Sequence, residues 1–97
     1  MNSISINELL SKLTKESLNI IDIRSHSEYL YGKIPTAINI NKIMLLMKPE
    51  TYLSKEKTYY IYCQSGHSSN NAVNKLNSLG YHTVNIEGGY NNYLLRK

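Results

Sequence analysis

The chain has a single cysteine, no phenylalanine and no tryptophan. One thiol rules out an intramolecular disulfide. There is no charged-then-apolar leader and no long uncharged apolar run, which argues against secretion and against a membrane span. A reducing cytoplasm is therefore the expected compartment. The formal charge of +4 comes from eleven Lys and Arg scattered along the chain. With no basic block and no zinc-finger spacing, nucleic-acid binding is not expected, and what remains is a mild long-range attraction for anionic small molecules or partners. His26, His67 and His82 lack ligand spacing, so no structural zinc is expected, and nothing in the sequence calls for a bound cofactor. Nine tyrosines make up the whole aromatic content and serve as ordinary core and surface filling. No repeat, low-complexity tract or Pro/Gly/Ser-rich linker divides the chain, so residues 1–97 are expected to fold as one domain.

Ser5-Ile6-Asn7-Glu8 has the form of a capping box, and Ile6, Leu9, Leu10 and Leu13 share one face of the helix it opens. Leu18 to Ile23 is a short apolar, β-branched run of the kind buried on both faces of a parallel sheet; Asp22 and Arg24 mark its end. Ser25-His26-Ser27-Glu28 is a second capping box, opening a short helix that Gly32 is expected to stop in the left-handed conformation. Ile34-Pro35 leads on extended, Ala37 to Ile40 reads as a strand, and Lys42 to Met47 as a helical segment ended by Pro49. Thr58 to Tyr62 is strongly β-prone, and Ala72, Val73, Leu76 and Leu79 mark the buried stripe of a helix that Gly80 should stop. Thr83 to Ile86 is a further strand, Gly88-Gly89 a tight turn, and Asn91 to Arg96 a terminal helix carrying Tyr93, Leu94 and Leu95. Alternating strands and helices with short links imply a parallel α/β sheet, whose ligand sites lie beyond the carboxyl ends of its strands.

Cys63 falls at such an end, between a strand and an amphipathic helix. Taken alone, a lone cysteine is more often a buried structural thiol than a nucleophile. Here the thiolate would face the unpaired N–H groups and the positive end of the helix dipole, which lower its pKa and raise its reactivity. Gly66 lets the backbone curl closely, and Gln64, Ser65, His67, Ser68 and Ser69 can turn their N–H groups inward to form an anion-holding nest. Ser65, Ser68 and Ser69 could add hydroxyl donors, while Ser68 and Ser69 are equally plausible helix caps. His67 lies too close in sequence to specify a Cys–His geometry, and a thiol of lowered pKa leaves little for a general base to remove.

Three stretches resemble the rhodanese family of sulfurtransferases. Ile21-Asp22-Ile23-Arg24 with Glu28-Tyr29, Gly32, Ile34-Pro35, Ala37 and Asn39-Ile40 is similar to the family's amino-terminal signature; Tyr62 to Ser69 is similar to its catalytic loop; Val84-Asn85-Ile86-Glu87-Gly88-Gly89-Tyr90 is similar to its Gly-Gly signature. The resemblance covers nearly the whole chain and implies a rhodanese-like α/β fold, a five-stranded parallel sheet flanked by helices on both faces. It implies that Cys63 takes sulfur from thiosulfate or a similar small anionic donor, holds it as a persulfide among the amides from Gln64 to Ser69, and passes it to cyanide, a thiol or a protein acceptor in two half-reactions. Three positions depart from the pattern: Lys33 replaces a His, Thr36 a Gly, and Ser68 an Arg common at the last place of the six-residue loop. Arg would have offered a forked cation to an anionic donor. Lys33 is one candidate to replace it, or is a solvated surface charge. Asp22 and Arg24 are candidates to shape the pocket, or a charge pair that ties loops together, with Glu28 as another available partner for Arg24.

A cysteine phosphatase would use a larger loop closed by Arg, which this sequence does not offer. A non-turnover persulfide carrier or regulatory binding module, loaded by a protein donor, would use the same Cys63.

Overall fold

In the computed structural model, which describes residues 2–96, eleven elements alternate along the chain. They are β1 (Ser3–Ile4), α1 (Ile6–Leu13), β2 (Asn19–Asp22), α2 (His26–Tyr31), β3 (Ile38–Asn39), α3 (Lys42–Met47), α4 (Pro49–Tyr52), β4 (Thr58–Tyr62), α5 (His67–Ser78), β5 (His82–Ile86) and α6 (Gly89–Leu94). The strands form one sheet in the order β1-β5-β4-β2-β3, and every pairing is parallel. β4 is central, with Ile61 opposite Ile21 of β2 on one side and Asn85 of β5 on the other. The chain leaves β4 toward β5, whereas β2 and β3 lie on its other flank. The carboxyl end of β4 is thus a switch point, where an α/β sheet opens a crevice.

Side chains alternate across the sheet and divide the core into two layers. Ile21, Ile23, Tyr59, Ile61 and Cys63 pack with Ala72, Val73 and Leu76 of α5 and Leu45 of α3. On the other face, Ile20, Tyr62 and Ile86 pack with Ile6 and Leu9 of α1 and Tyr90 of α6. Each fully buried Leu or Ile contributes about 2 kcal/mol of transfer free energy, so both layers are needed for a domain of this size. Both expected capping residues start helices, the Ser5 and Ser25 hydroxyls accepting from the Glu8 and Glu28 amides, but only the second box is complete: the Glu28 carboxylate accepts from the Ser25 N–H, whereas the Glu8 carboxylate meets the Ser5 hydroxyl instead.

Several local expectations are corrected. β1 has only two residues, too short to stand out as an apolar run, and it is held by pairing Ser3 with Asn85. Pro49 ends α3 but also opens α4, where its missing N–H costs nothing. Leu79 lies beyond the end of α5 and is 43% exposed, so it leaves the buried stripe. α6 starts at Gly89 rather than Asn91, with Leu95 beyond its end and exposed. Gly32 is not left-handed; its φ of 177° is extended backbone, and glycine is needed there because a Cβ would strike the Tyr90 hydroxyl.

Thr36 is the one non-glycine with positive φ (70°) among the described residues, at the place where the family pattern has glycine. A β-branched residue in the left-handed region is strained by about 1–3 kcal/mol. Glycine would remove that strain while gaining about 0.5–1 kcal/mol of conformational freedom in the unfolded chain. Thr36→Gly is therefore expected to raise stability by up to about 2 kcal/mol, read as a higher urea midpoint at unchanged slope. A lower midpoint would mean that Thr36 is not strained.

Candidate active site

β4 delivers Cys63 to the switch point, and the chain then turns through Gln64, Ser65 and Gly66 into α5. Gly66 makes that turn with φ of 98°, and a Cβ there would come within 2.9 Å of the Gly88 backbone nitrogen. The curl is closed from outside by the start of α6. The Tyr90 N–H donates to the Cys63 carbonyl at 2.9 Å and the Asn91 N–H to the Gln64 carbonyl at 3.0 Å. Gly89 allows this approach, since a Cβ at that position would overlap the Cys63 carbonyl oxygen. The Gly-Gly pair is thus a docking surface for the loop as well as a turn.

Inside the curl, Cys63 Sγ accepts the Gly66 N–H at 3.1 Å and the Ser69 N–H at 3.2 Å, with Ser69 Oγ 3.3 Å away. Burial pushes the Cys63 thiol up, but the Ser69 hydroxyl and the amides of Ser69, Gly66 and Ser65 outweigh it and bring the net pKa below that of an ordinary thiol. The thiolate is the form these donors suit. Ser69 is fully buried, and its hydroxyl is also 2.6 Å from Asn85 Oδ1, while Asn85 Nδ2 donates to the Gly66 carbonyl at 3.3 Å. Asn85 therefore ties the loop to β5 and orients the hydroxyl that faces sulfur. It escaped notice as a functional residue in the sequence. The available signal was a polar side chain at an inward position of a buried strand, which must find hydrogen-bond partners.

Asp22 and Arg24 form a buried pair beside the loop. Arg24 Nη2 donates to Asp22 Oδ2 at 2.8 Å and Nε to Oδ1 and Oδ2 at 3.2 and 3.1 Å. The Tyr62 hydroxyl adds a 2.6 Å bond to Asp22 Oδ2, and burial followed by that bond pushes the phenol pKa up, keeping it neutral. Arg24 also reaches the Gly32 carbonyl and Gln64 Oε1, and its guanidinium stacks 4.1 Å from the Tyr90 ring centroid. Its partner is Asp22 rather than Glu28, whose carboxylate caps α2. Gln64 Nε2 donates to Asn91 Oδ1, so Gln64 links the loop to both neighbours. A groove lined by Arg24, Glu28, Tyr31, Gln64, Tyr90 and Leu94 opens at that link. Among the described residues no group of three or more His, Cys, Asp or Glu could hold a metal.

The model of the rhodanese-like domain matches residues 5–96. The chain belongs to the rhodanese family. YtwF of Bacillus subtilis is 42% identical over 74 residues, 76% of this chain and 71% of that protein. A sulfurtransferase of Allochromatium vinosum is 31% identical over 91 residues, 92% of this chain and 84% of that one. Among solved structures, the human single-domain sulfurtransferase TSTD1 superposes with a TM-score of 0.87 at 27% identity, covering 100% of this chain and 98% of that one.

Of the three departures from the rhodanese pattern, Thr36 carries the positive φ described above, and Lys33 and Ser68 are placed differently from each other. Lys33 is exposed and lies over the Tyr29 ring, 4.8 Å from its centroid. His67 is exposed as well, with Nδ1 3.1 Å from Ser65 Oγ, while the hydrogen bonds to Cys63 Sγ come from Gly66 and Ser69. Ser68, at the last place of the loop, accepts from Lys42 Nζ at 2.9 Å. That lysine was not singled out in the sequence, since it opens a helix 26 residues away from Ser68 and belongs to no motif.

Proposed function

We propose that this rhodanese is a sulfurtransferase that moves sulfane sulfur from thiosulfate or a similar donor to a thiophilic acceptor through a Cys63 persulfide. The observation that carries this reading is a sulfur atom held by two backbone N–H groups and one buried hydroxyl, at the carboxyl end of the central strand. In the first half-reaction the Cys63 thiolate attacks the outer sulfur of thiosulfate. A sulfur–sulfur bond forms to Cys63, the original sulfur–sulfur bond breaks, and sulfite leaves with its electron pair. The amides from Gln64 to Ser69 stabilise the negative charge on the persulfide, as fixed dipoles in a preorganised site do. In the second half-reaction the carbon of cyanide, or a thiolate, attacks the outer sulfur and releases Cys63 as thiolate. Neither step needs an oxidant, a metal or an organic cofactor.

The names of the Allochromatium vinosum and human relatives support sulfur transfer as the reaction type. Among the described residues no helix is long and apolar enough to cross a membrane. We place the protein in the cytoplasm, where a lone thiol is kept reduced. Asp22 and Arg24 act as supports that hold the loops around Cys63, and Lys33 takes no part.

Intact-protein mass after incubation with thiosulfate, and again after cyanide, tests the reading. The expected result is a gain of one sulfur atom that cyanide removes, with thiocyanate in the same tube. No gain by a thiol that still alkylates would overturn transfer from small donors in favour of a carrier loaded by a protein donor.

A further inference from the structure

We propose that Lys42 supplies the cation that this loop lacks, holding the anionic end of a sulfur donor from outside the loop. The inference rests on the sulfur-transfer reading above. Its ground is the 2.9 Å bond from Lys42 Nζ to Ser68 Oγ, which sets an ammonium on the last residue of the six-residue loop, next to Ser69, whose N–H and hydroxyl contact sulfur. An ammonium has three donors, and the bond to Ser68 uses one.

The backbone that carries Lys42 is fixed. Asn41 caps α3 by accepting the Met44 N–H at 3.2 Å, and Leu45 is fully buried in the same core cluster as Ala72, Val73 and Leu76 of α5, which seats the helix start beside α5. The charge is also unspent. The ion pairs among the described residues are Lys12 with Glu16 and Arg24 with Asp22, neither of which involves Lys42. Arg24, the other cation at the site, is neutralised by Asp22, and Lys33 sits over Tyr29. Every other donor around Cys63 is a neutral amide or hydroxyl. Among the described residues, Lys42 is thus the uncompensated positive charge in contact with the loop. As a compact point charge on a flexible stem, it would attract an anionic donor without the forked geometry of Arg.

The test compares the rates at which iodoacetate and iodoacetamide alkylate Cys63, measured on wild type, Lys42→Met, Lys42→Glu and Lys55→Met at low ionic strength. Both reagents need the thiolate, so any change in thiol acidity or folding cancels in the ratio of rates. The charge of the reagent does not cancel. Lys42→Met is expected to lower the iodoacetate-to-iodoacetamide ratio by about 3- to 10-fold and Lys42→Glu by more, with the effect shrinking in salt. Lys55, whose ammonium lies over Tyr81 at the opposite end of the sheet, is expected to leave the ratio unchanged when replaced by Met. In steady state, Lys42→Met is expected to raise KM for thiosulfate more than it lowers kcat. An unchanged ratio in both Lys42 variants would overturn the proposal even if thiosulfate loads normally. A lowered ratio in a protein that thiosulfate does not load supports the anion site and removes only the donor reading.

Discussion

Cys63→Ser is expected to gain no mass with thiosulfate and to yield no thiocyanate, a loss of at least about 10³-fold in turnover. The substituted hydroxyl meets the same donors as sulfur does, namely the Gly66 and Ser69 amides and the Ser69 hydroxyl. Those donors shift a thiol toward its ionised form. They cannot do so for an aliphatic hydroxyl, which starts far higher and is a weak nucleophile toward sulfur. The volume change is small, so the variant is expected to unfold within a few degrees of wild type, and the defect is then chemical. Mass spectrometry of wild type and variant after identical exposure, with thermal unfolding alongside, makes the distinction. A Cys63→Ser protein that still accepted sulfur would place the nucleophile elsewhere and sink the mechanism.

What was legible in the sequence is what local chemistry specifies. The two helix starts could be read because a serine caps the amide three residues on, and at Ser25 the glutamate returns the bond across one turn. The β4-loop-α5 unit could be read because a β-prone run, a glycine and an apolar stripe at helical spacing follow one another. Contacts between distant segments were not legible. Asn85 reaches Ser69 across 16 residues and Lys42 reaches Ser68 across 26, and neither distance leaves a periodic trace. β1 exists because β5 offers it an edge, not because two residues favour a strand. Gly32 was read as a conformational glycine, whereas Tyr90, 58 positions later, makes it a steric one. The rhodanese pattern supplied the fifth strand that composition could not.

Asp22→Ala is expected to be the most destabilising single change in the chain. Asp22 is completely buried and accepts from three groups on two residues: the Arg24 guanidinium, the Arg24 N–H at 2.8 Å and the Tyr62 hydroxyl at 2.6 Å. Removing the carboxylate leaves the Arg24 cation inside the protein with no counter-charge, a situation that costs about 3–5 kcal/mol. It also leaves the Tyr62 hydroxyl without an acceptor, at about 1–3 kcal/mol more. Against a total stability of about 5–15 kcal/mol for a domain of this kind, the variant should be close to unfolding at room temperature. The Tm should fall by at least about 12 °C. The comparison that separates an orphaned charge from a simple loss of packing is the double variant Asp22→Ala with Arg24→Leu. With the cation gone, part of the stability is expected to return, so that the double variant melts above Asp22→Ala alone. Equal or lower melting would mean that the pair acts mainly through the other groups Arg24 holds, the Gly32 carbonyl and Gln64 Oε1. In either case the effect should reach sulfur. Gln64 follows Cys63 directly, and the buried pair at the end of β2 supports the loop around it together with the start of α6 and Asn85 of β5.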